Sequence, residues 1–293
     1  MRIVSLLPSA TEIVCALGLR DQLVAITHEC DYPAGLGGIP VVTSSVLSGP
    51  ASSPEIDRHI RELVHEGSSI YRLDAERLQS LKPDLILTQE LCDVCAVSYP
   101  IVEDAARRLD GPARIVSLEP QSLEDVFKNI SMIGRLADRA AAASKLVGEL
   151  SDRVARLRVQ LGGRSPRPVL CLEWIEPPFN AGHWTPGLVE LAGGKDPLGK
   201  PGAPAVPLSW DSVFSSETEV VVVMACGLRL DRSLAEAARL STRLGGRQLW
   251  VVDGNAYFSR PGPRLVDSIE IMAAILHPEA MGRPSFQVAR RLA

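Results

Sequence analysis

Two cysteines three positions apart, Cys92 and Cys95, follow an apolar run of strand length, and His28 with Cys30 follow another. Thiolate and imidazole are soft donors, so Cys30, Cys92, Cys95 and His28 form a candidate set of two to four ligands for a transition-metal ion. A single C-x-x-C lacks the second pair that would define a zinc site. It fits structural or incidental thiols first, then contact with the metal of a bound chelate, then a redox pair. Cys15, Cys171 and Cys226 fall in expected helix or strand and read as core residues, while His59, His65 and His277 sit on expected helices.

A second constellation is aromatic. Rings make up only 4% of the chain, yet Trp174, Phe179, Trp184, Trp210, Tyr257 and Phe258 fall in segments expected to be loops at strand ends. Glu173, His183, Asp253 and Arg260 lie among them, and His28, Glu29, Cys30, Glu90, Cys92 and Glu119 occupy the corresponding segments of the first half. Flat walls with a few carboxylates suit a broad, mostly apolar ligand with polar edges. The same tryptophans could instead wedge the loops of the second half together. Residues 259–264 precede the last long helix, where backbone N–H groups and Arg260 would suit an anionic group or an Arg–Asp cap. No Gly-rich phosphate loop, G-x-S-x-G elbow or H-E-x-x-H motif occurs. The residues favour a binding protein over an enzyme, with a thiol enzyme using Cys92 as the remaining catalytic reading.

The elements that must position these groups alternate. Short apolar strands are expected at residues 2–7, 23–26, 85–88 and 115–118, and again at 169–172, 220–224 and 249–252. Helices are expected between them, with a Ser9/Glu12 capping box after the first strand and a Ser122/Asp125 cap before a helix ending near 136. The pattern predicts mostly parallel sheets covered on both faces, with ligands beyond the carboxyl ends of the strands. Residues 35–54 are rich in Gly, Pro and Ser and read as a long connection. Residues 138–161 carry Ala142, Leu146, Leu150, Val154, Leu157 and Leu161 at four- and three-residue steps, which predicts a helix with one apolar stripe. Asp138 is its expected N-cap and Gly162-Gly163 its stop. At about 1.5 Å per residue it would run roughly 36 Å and serve as a spine between two α/β halves. The expected organisation is residues 1–121, linking helices at 122–163, and residues 164–293. The runs LQSLKPDLILT and VFSSETEVVVVM share an outline that hints at duplication.

The chain of 293 residues has a net charge of −4 with 23% charged residues, so no basic face points to nucleic acid. No apolar run reaches bilayer length, and the first residues carry no signal-like pattern. As written, the expected place is the cytosol, or the periplasm if an upstream signal precedes the sequence.

The runs RIVSLLPSATEIVCALGL, LDAERLQSLKPDLIL, SLEPQSLEDV, EWIEPPFNAGHWTPGLVELAGG and RPGPRLVDSIEIMAAIL, together with DYP at 31–33, resemble in that order the cobalamin and ferric-siderophore binding proteins of ABC importers. The resemblance implies two Rossmann-like lobes with parallel sheets joined by one long rigid helix. It also implies a non-enzymatic receptor that holds a cobalamin-like corrinoid or related metal chelate between them. The PPF run at Phe179 and the strand-to-loop run at Asp253 point to the cobalamin branch. Relatives dock on an ABC permease through one glutamate per lobe; Glu76 matches the first, while the segment around Glu217 is shorter than the second.

Overall fold

The computed structural model describes residues 1–46, 52–65, 71–89, 99–107 and 113–292. Chain contacts divide it into two compact units, one of Met1–Ala51, Glu55–Glu119 and Phe127–Val147, the other of Ser52–Pro54, Pro120–Val126 and Gly148–Ala293.

The first unit opens with β1 (Ile3–Ser5), α1 (Pro8–Ala16) and β2 (Leu23–Ile26), continues through β3 (Thr43–Ser45), α2 (Ser53–His65), β4 (Tyr71–Leu73) and α3 (Ala75–Ser80), and ends with β5 (Leu85–Thr88), α4 (Tyr99–Arg107) and β6 (Arg114–Ser117). Its sheet has the order β2-β1-β5-β6 with every pairing parallel. Val4, Leu6, Ala25, Ile86 and Leu78 form its core. The structure adds an antiparallel ribbon, β3 with β4, whose first strand lies inside the stretch 35–54 expected to be irregular. Its strands are three residues long and β3 reads Thr-Ser-Ser, so they carry no apolar run to betray them. The Ser9/Glu12 capping box does not form. Helix α1 begins at Pro8 with Leu7 in the cap position and no side-chain cap, and Ser9 and Glu12 are buried. Proline at the first turn is tolerated because its missing N–H would have no helical partner.

Helix α5 (Leu123–Leu136) carries the expected cap: Asp125 N–H donates to Ser122 Oγ at 3.2 Å, and the Ser122 hydroxyl donates to Asp125 Oδ2 at 2.8 Å. Asp138 is not the N-cap of the next helix. It adopts φ +53, and the N–H of Arg139 reaches back to Gly134 O at 2.6 Å, so Asp138 is the left-handed residue that ends α5. The next helix, α6 (Ala140–Leu161), passes from one unit to the other between Val147 and Gly148. Leu150, Leu157 and Leu161 of the expected stripe are buried, and Gly162 and Gly163, at φ +46 and +69, end the helix as anticipated.

The second unit holds β7 (Arg167–Ile175), β8 (Pro178–Asn180), α7 (Thr185–Leu191), β9 (Gly194–Lys195), α8 (Trp210–Ser215), β10 (Val220–Val223), α9 (Leu230–Ala237), β11 (Gln248–Val252), α10 (Leu265–Leu276), α11 (Pro278–Met281) and β12 (Ala289–Arg291). The sheet runs β12-β11-β10-β7-β8, with β9 also on β7; β7, β10 and β11 are parallel, and β8 and β12 are antiparallel edges. All four valines of β10 are fully buried, as a strand covered on both faces requires. Arg153 of α6 binds Glu270 at 2.7 Å and Asp267 at 2.5 Å on α10, and the Glu270 hydrogen bond leads in holding its guanidinium still more firmly protonated.

Leu170 of β7 is fully buried in this core. Leu170→Ala should lower the unfolding free energy by about 2–5 kcal/mol, because the methyl groups leave a cavity. Val159, 81% exposed on α6, should tolerate Val159→Ala within about 0.5 kcal/mol. Denaturant unfolding of the two variants checks both.

Candidate functional site

In the second unit the carboxyl ends of β7 and β11 are tied together by hydrogen bonds. Glu173, near the end of β7, accepts the N–H of Gly182 on Oε1 at 3.0 Å. The indole N–H of Trp184 donates to Phe258 O at 2.8 Å. Phe258 closes a π-helical turn, Gly254–Phe258, that leaves β11 through Asp253, whose Oδ1 accepts from Ala256 N at 2.8 Å. Such wide turns are uncommon and concentrate at functional sites. Ser268 of α10 donates to Tyr257 O at 2.5 Å, and the Arg264 guanidinium lies 5.5 Å from the Tyr257 ring centre. Glu173, His183, Trp184, Asp253 and Tyr257 therefore share one bonded rim, to which Phe258, only 3% exposed, contributes its carbonyl rather than its ring.

The remaining rings fall elsewhere in the unit. Trp174 lies inside β7 rather than in a loop, and Phe179 lies in β8 opposite it. Trp210 begins α8, stacks on Phe214 at 5.5 Å and carries the Arg243 guanidinium 4.5 Å from its centre. Trp174, Trp210 and Phe214 pack against the hydrophobic core, which is the wedging role the sequence left open. Arg260 is only 4% exposed, so it is not at a lip. Cys226 is exposed in the turn after β10 rather than in the core, and Cys171 is fully buried, where burial pushes its thiol pKa well up.

A cavity of about 410 Å³ lies within the second unit, lined by Gln121, Ser122, Leu123 and Glu124 at the start of α5, His183, Trp184, Gly187 and Leu191 at α7, and Pro201 and Gly202. Its rim is built under local strain. His183 has φ +50, a conformation rare for a non-glycine residue, and is held there on both sides: its N–H donates to Ala203 O at 2.6 Å and its carbonyl accepts from Gly202 N at 2.8 Å. The loop that supplies Gly202 is anchored by Asp196, which accepts from the backbone N–H groups of Cys171, Leu198 and Gly199; burial nonetheless raises its pKa. His183 Nδ1 lies 3.0 Å from Gln121 Oε1. A carbonyl oxygen can only accept, so Nδ1 carries the proton and Nε2 the lone pair. Desolvation lowers the His183 pKa and keeps the ring neutral. Sequence reasoning missed Gln121 and Gly187; a glycine inside the run TPGLVEL was the one available signal.

In the first unit His28 and Cys30 are engaged by hydroxyls. His28 Nδ1 is 2.7 Å from Thr43 Oγ1, its ring packs on Tyr71, and Nε2 is 3.4 Å from Glu29 Oε1. Cys30 Sγ is 3.0 Å from Thr11 Oγ1, which donates to Ser5 Oγ. The Ser117 hydroxyl donates to Glu119 at 2.7 Å. Glu90, Cys92 and Cys95 lie outside the described residues, and among the described residues no three His, Cys, Asp or Glu side chains stand close enough to share an ion.

Paired α/β units with strand-end rims define a class of binding proteins, and the solved structures agree on the fold. A periplasmic heme-binding protein of Pseudomonas aeruginosa superposes with a TM-score of 0.71 at 19% identity, covering 99% of this chain and 97% of that one. Residues 3–242 match the family profile described as periplasmic binding protein, and the chain belongs to that family. Among curated relatives, the vitamin B12-binding protein of Vibrio cholerae is 23% identical over 292 residues, 94% of this chain and 88% of the relative. An uncharacterized ABC transporter substrate-binding lipoprotein of Bacillus subtilis is 30% identical over 153 residues, 52% of this chain and 38% of the relative.

A His183 pKa below its ordinary value means that the unfolded chain takes the proton first as pH falls through about 6.5. Stability should therefore drop from there down to the lower folded-state value. His183→Asn, a residue that tolerates positive φ, should shrink the difference in melting temperature between about pH 7 and about pH 5.5. Thermal unfolding at the two pH values measures it.

Proposed function

We propose that this protein is the substrate-binding receptor of an ABC importer and that its cargo is a metal chelate with a large flat ring, a corrinoid or haem. The observation that carries the reading is the family match across most of the chain, joined to a bonded rim that presents Trp184 and Tyr257 beside neutral His183. Relatives named for vitamin B12 and heme support that cargo class. Aromatic faces contribute both apolar area and stacking to such a ring. Members of this family are binding proteins, so capture and release, rather than bond chemistry, is the assigned task.

The relatives also bear on place and partner. They are periplasmic proteins or a lipoprotein, which favours action outside the cytoplasm over the cytosolic expectation. Among the described residues no helix is long and apolar enough to cross a membrane. Glu76, exposed in the first turn of α3, is the proposed docking carboxylate of the first unit, while the shorter segment around Glu217 offers no counterpart in the second.

Absorbance and calorimetric titration with cyanocobalamin, cobinamide and haemin tests the cargo. At least one should bind with a Kd of about 1 μM or tighter, about −8 kcal/mol. Trp184→Ala should weaken that binding roughly tenfold or more, the usual cost of removing an aromatic anchor. No heat and no spectral shift with any of the three at tenfold higher concentration would remove the reading.

A further inference from the structure

The cavity at the start of α5 is too small to enclose a corrinoid or haem, yet it is built as a site. Three features set it apart from a packing defect. The first is Gly187, inside α7. A Cβ built there meets no atom within 4 Å, so the missing side chain is what leaves the space open. Gly187 sits in the first turn of α7 and is not at positive φ, so nothing in the local backbone requires a glycine there. The second is the strained backbone of His183, pinned from both sides by the 202–203 segment so that its ring stands at the rim. The third is the chemistry of the polar groups. Gln121 fixes the His183 tautomer, which leaves Nε2 as an acceptor with no hydrogen-bond partner among the described residues, and the Gln121 amide N–H₂ as a donor. Ser122 is already committed to Asp125, and the apolar lining comes from Trp184, Leu191, Leu123 and Pro201.

A neutral acceptor and a neutral donor beside an indole complement one kind of ligand. We propose that this cavity binds a single planar nitrogen heteroaromatic of benzimidazole or purine size. A ring N–H is donated to His183 Nε2, or a ring nitrogen accepts from the Gln121 amide. Glu124 also lines the cavity, so an anionic ring is disfavoured while a neutral or weakly basic one is accommodated. The ring has two sources of the same chemistry: a free base, or the nucleotide base appended to a corrinoid. The inference stands apart from the cargo assigned above and can survive its failure.

The test is calorimetric and tryptophan-fluorescence titration of the whole protein with benzimidazole and adenine, with benzene as the apolar control. Saturable binding of a heterocycle, at least tenfold tighter than benzene, is expected. Gly187→Leu, which puts a side chain into the cavity and favours the helix, should keep or raise the melting temperature and remove heterocycle binding. His183→Asn should weaken benzimidazole severalfold without abolishing it. Absence of heterocycle binding to the unaltered protein, or equal binding by Gly187→Leu, would overturn the inference whether or not cobalamin binds. Competition of benzimidazole with cobalamin but not cobinamide identifies the ring as the corrinoid's tail. Binding of benzimidazole undisturbed by either corrinoid identifies it as a separate small molecule.

Discussion

A β-strand with neighbours on both edges and helices on both faces has no free surface except its two ends. Strand β10 is in that position: Val220 to Val223 are fully buried and hydrogen-bonded in register to β7 on one side and β11 on the other. Whatever chemistry the second unit performs must therefore be carried by the segments that leave the strands. The hydrogen bonds from the Gly182 N–H to Glu173 and from the Trp184 indole to Phe258 O then join the end of β7 and two separate loops into one surface. In the first unit the same constraint acts on β1, whose polar end residue Ser5 is completely buried and bonded to Thr11.

The strands were readable because burial on both faces demands continuous apolar runs. Residues 23–26 and 85–88 emerge with the expected limits, and β10 lacks only Met224 of its expected span. Helix α7 was readable for its fixed proline and its apolar spacing. The β3–β4 ribbon was not, because Thr43, Ser44 and Ser45 carry no apolar alternation, and their pairing with residues 71–73 is a long-range fact. Asp138 misled because aspartate suits both a helix cap and a left-handed stop, and only its φ of +53 and the Arg139 to Gly134 hydrogen bond distinguish them. The aromatic clustering was visible, but which rings share a rim was not. Trp174 and Trp210 differ from Trp184 in what lies beneath them, not in their sequence neighbours. Gln121 and His183, 62 positions apart, could not be paired by inspection, and a glycine's empty side offers nothing to read.

The polar groups near the second unit's rim are handled in two ways. Asp196 is sunk below the surface and surrounded by three backbone N–H donors, which keep the loop in place although burial opposes its charge. His183 is left with one nitrogen engaged and one exposed, and burial keeps it uncharged. The first arrangement is a structural anchor. The second leaves a neutral lone pair at the mouth of a cavity, a feature suited to discriminating between ligands by their hydrogen-bonding edge rather than by net charge.

Gly254 stands where the chain leaves β11, and a Cβ there would come within 2.5 Å of the carbonyl oxygens of Met224 and Ala225. Two main chains thus ride directly on one another, with the Asn255 N–H also reaching Leu228 O. The turn that bears Tyr257 and Phe258 has no slack relative to the end of β10. Variation in length or bulk among residues 224–228 would displace both rings together, so diversification of ligand preference in related chains should accumulate in side chains on this frame and spare the frame itself.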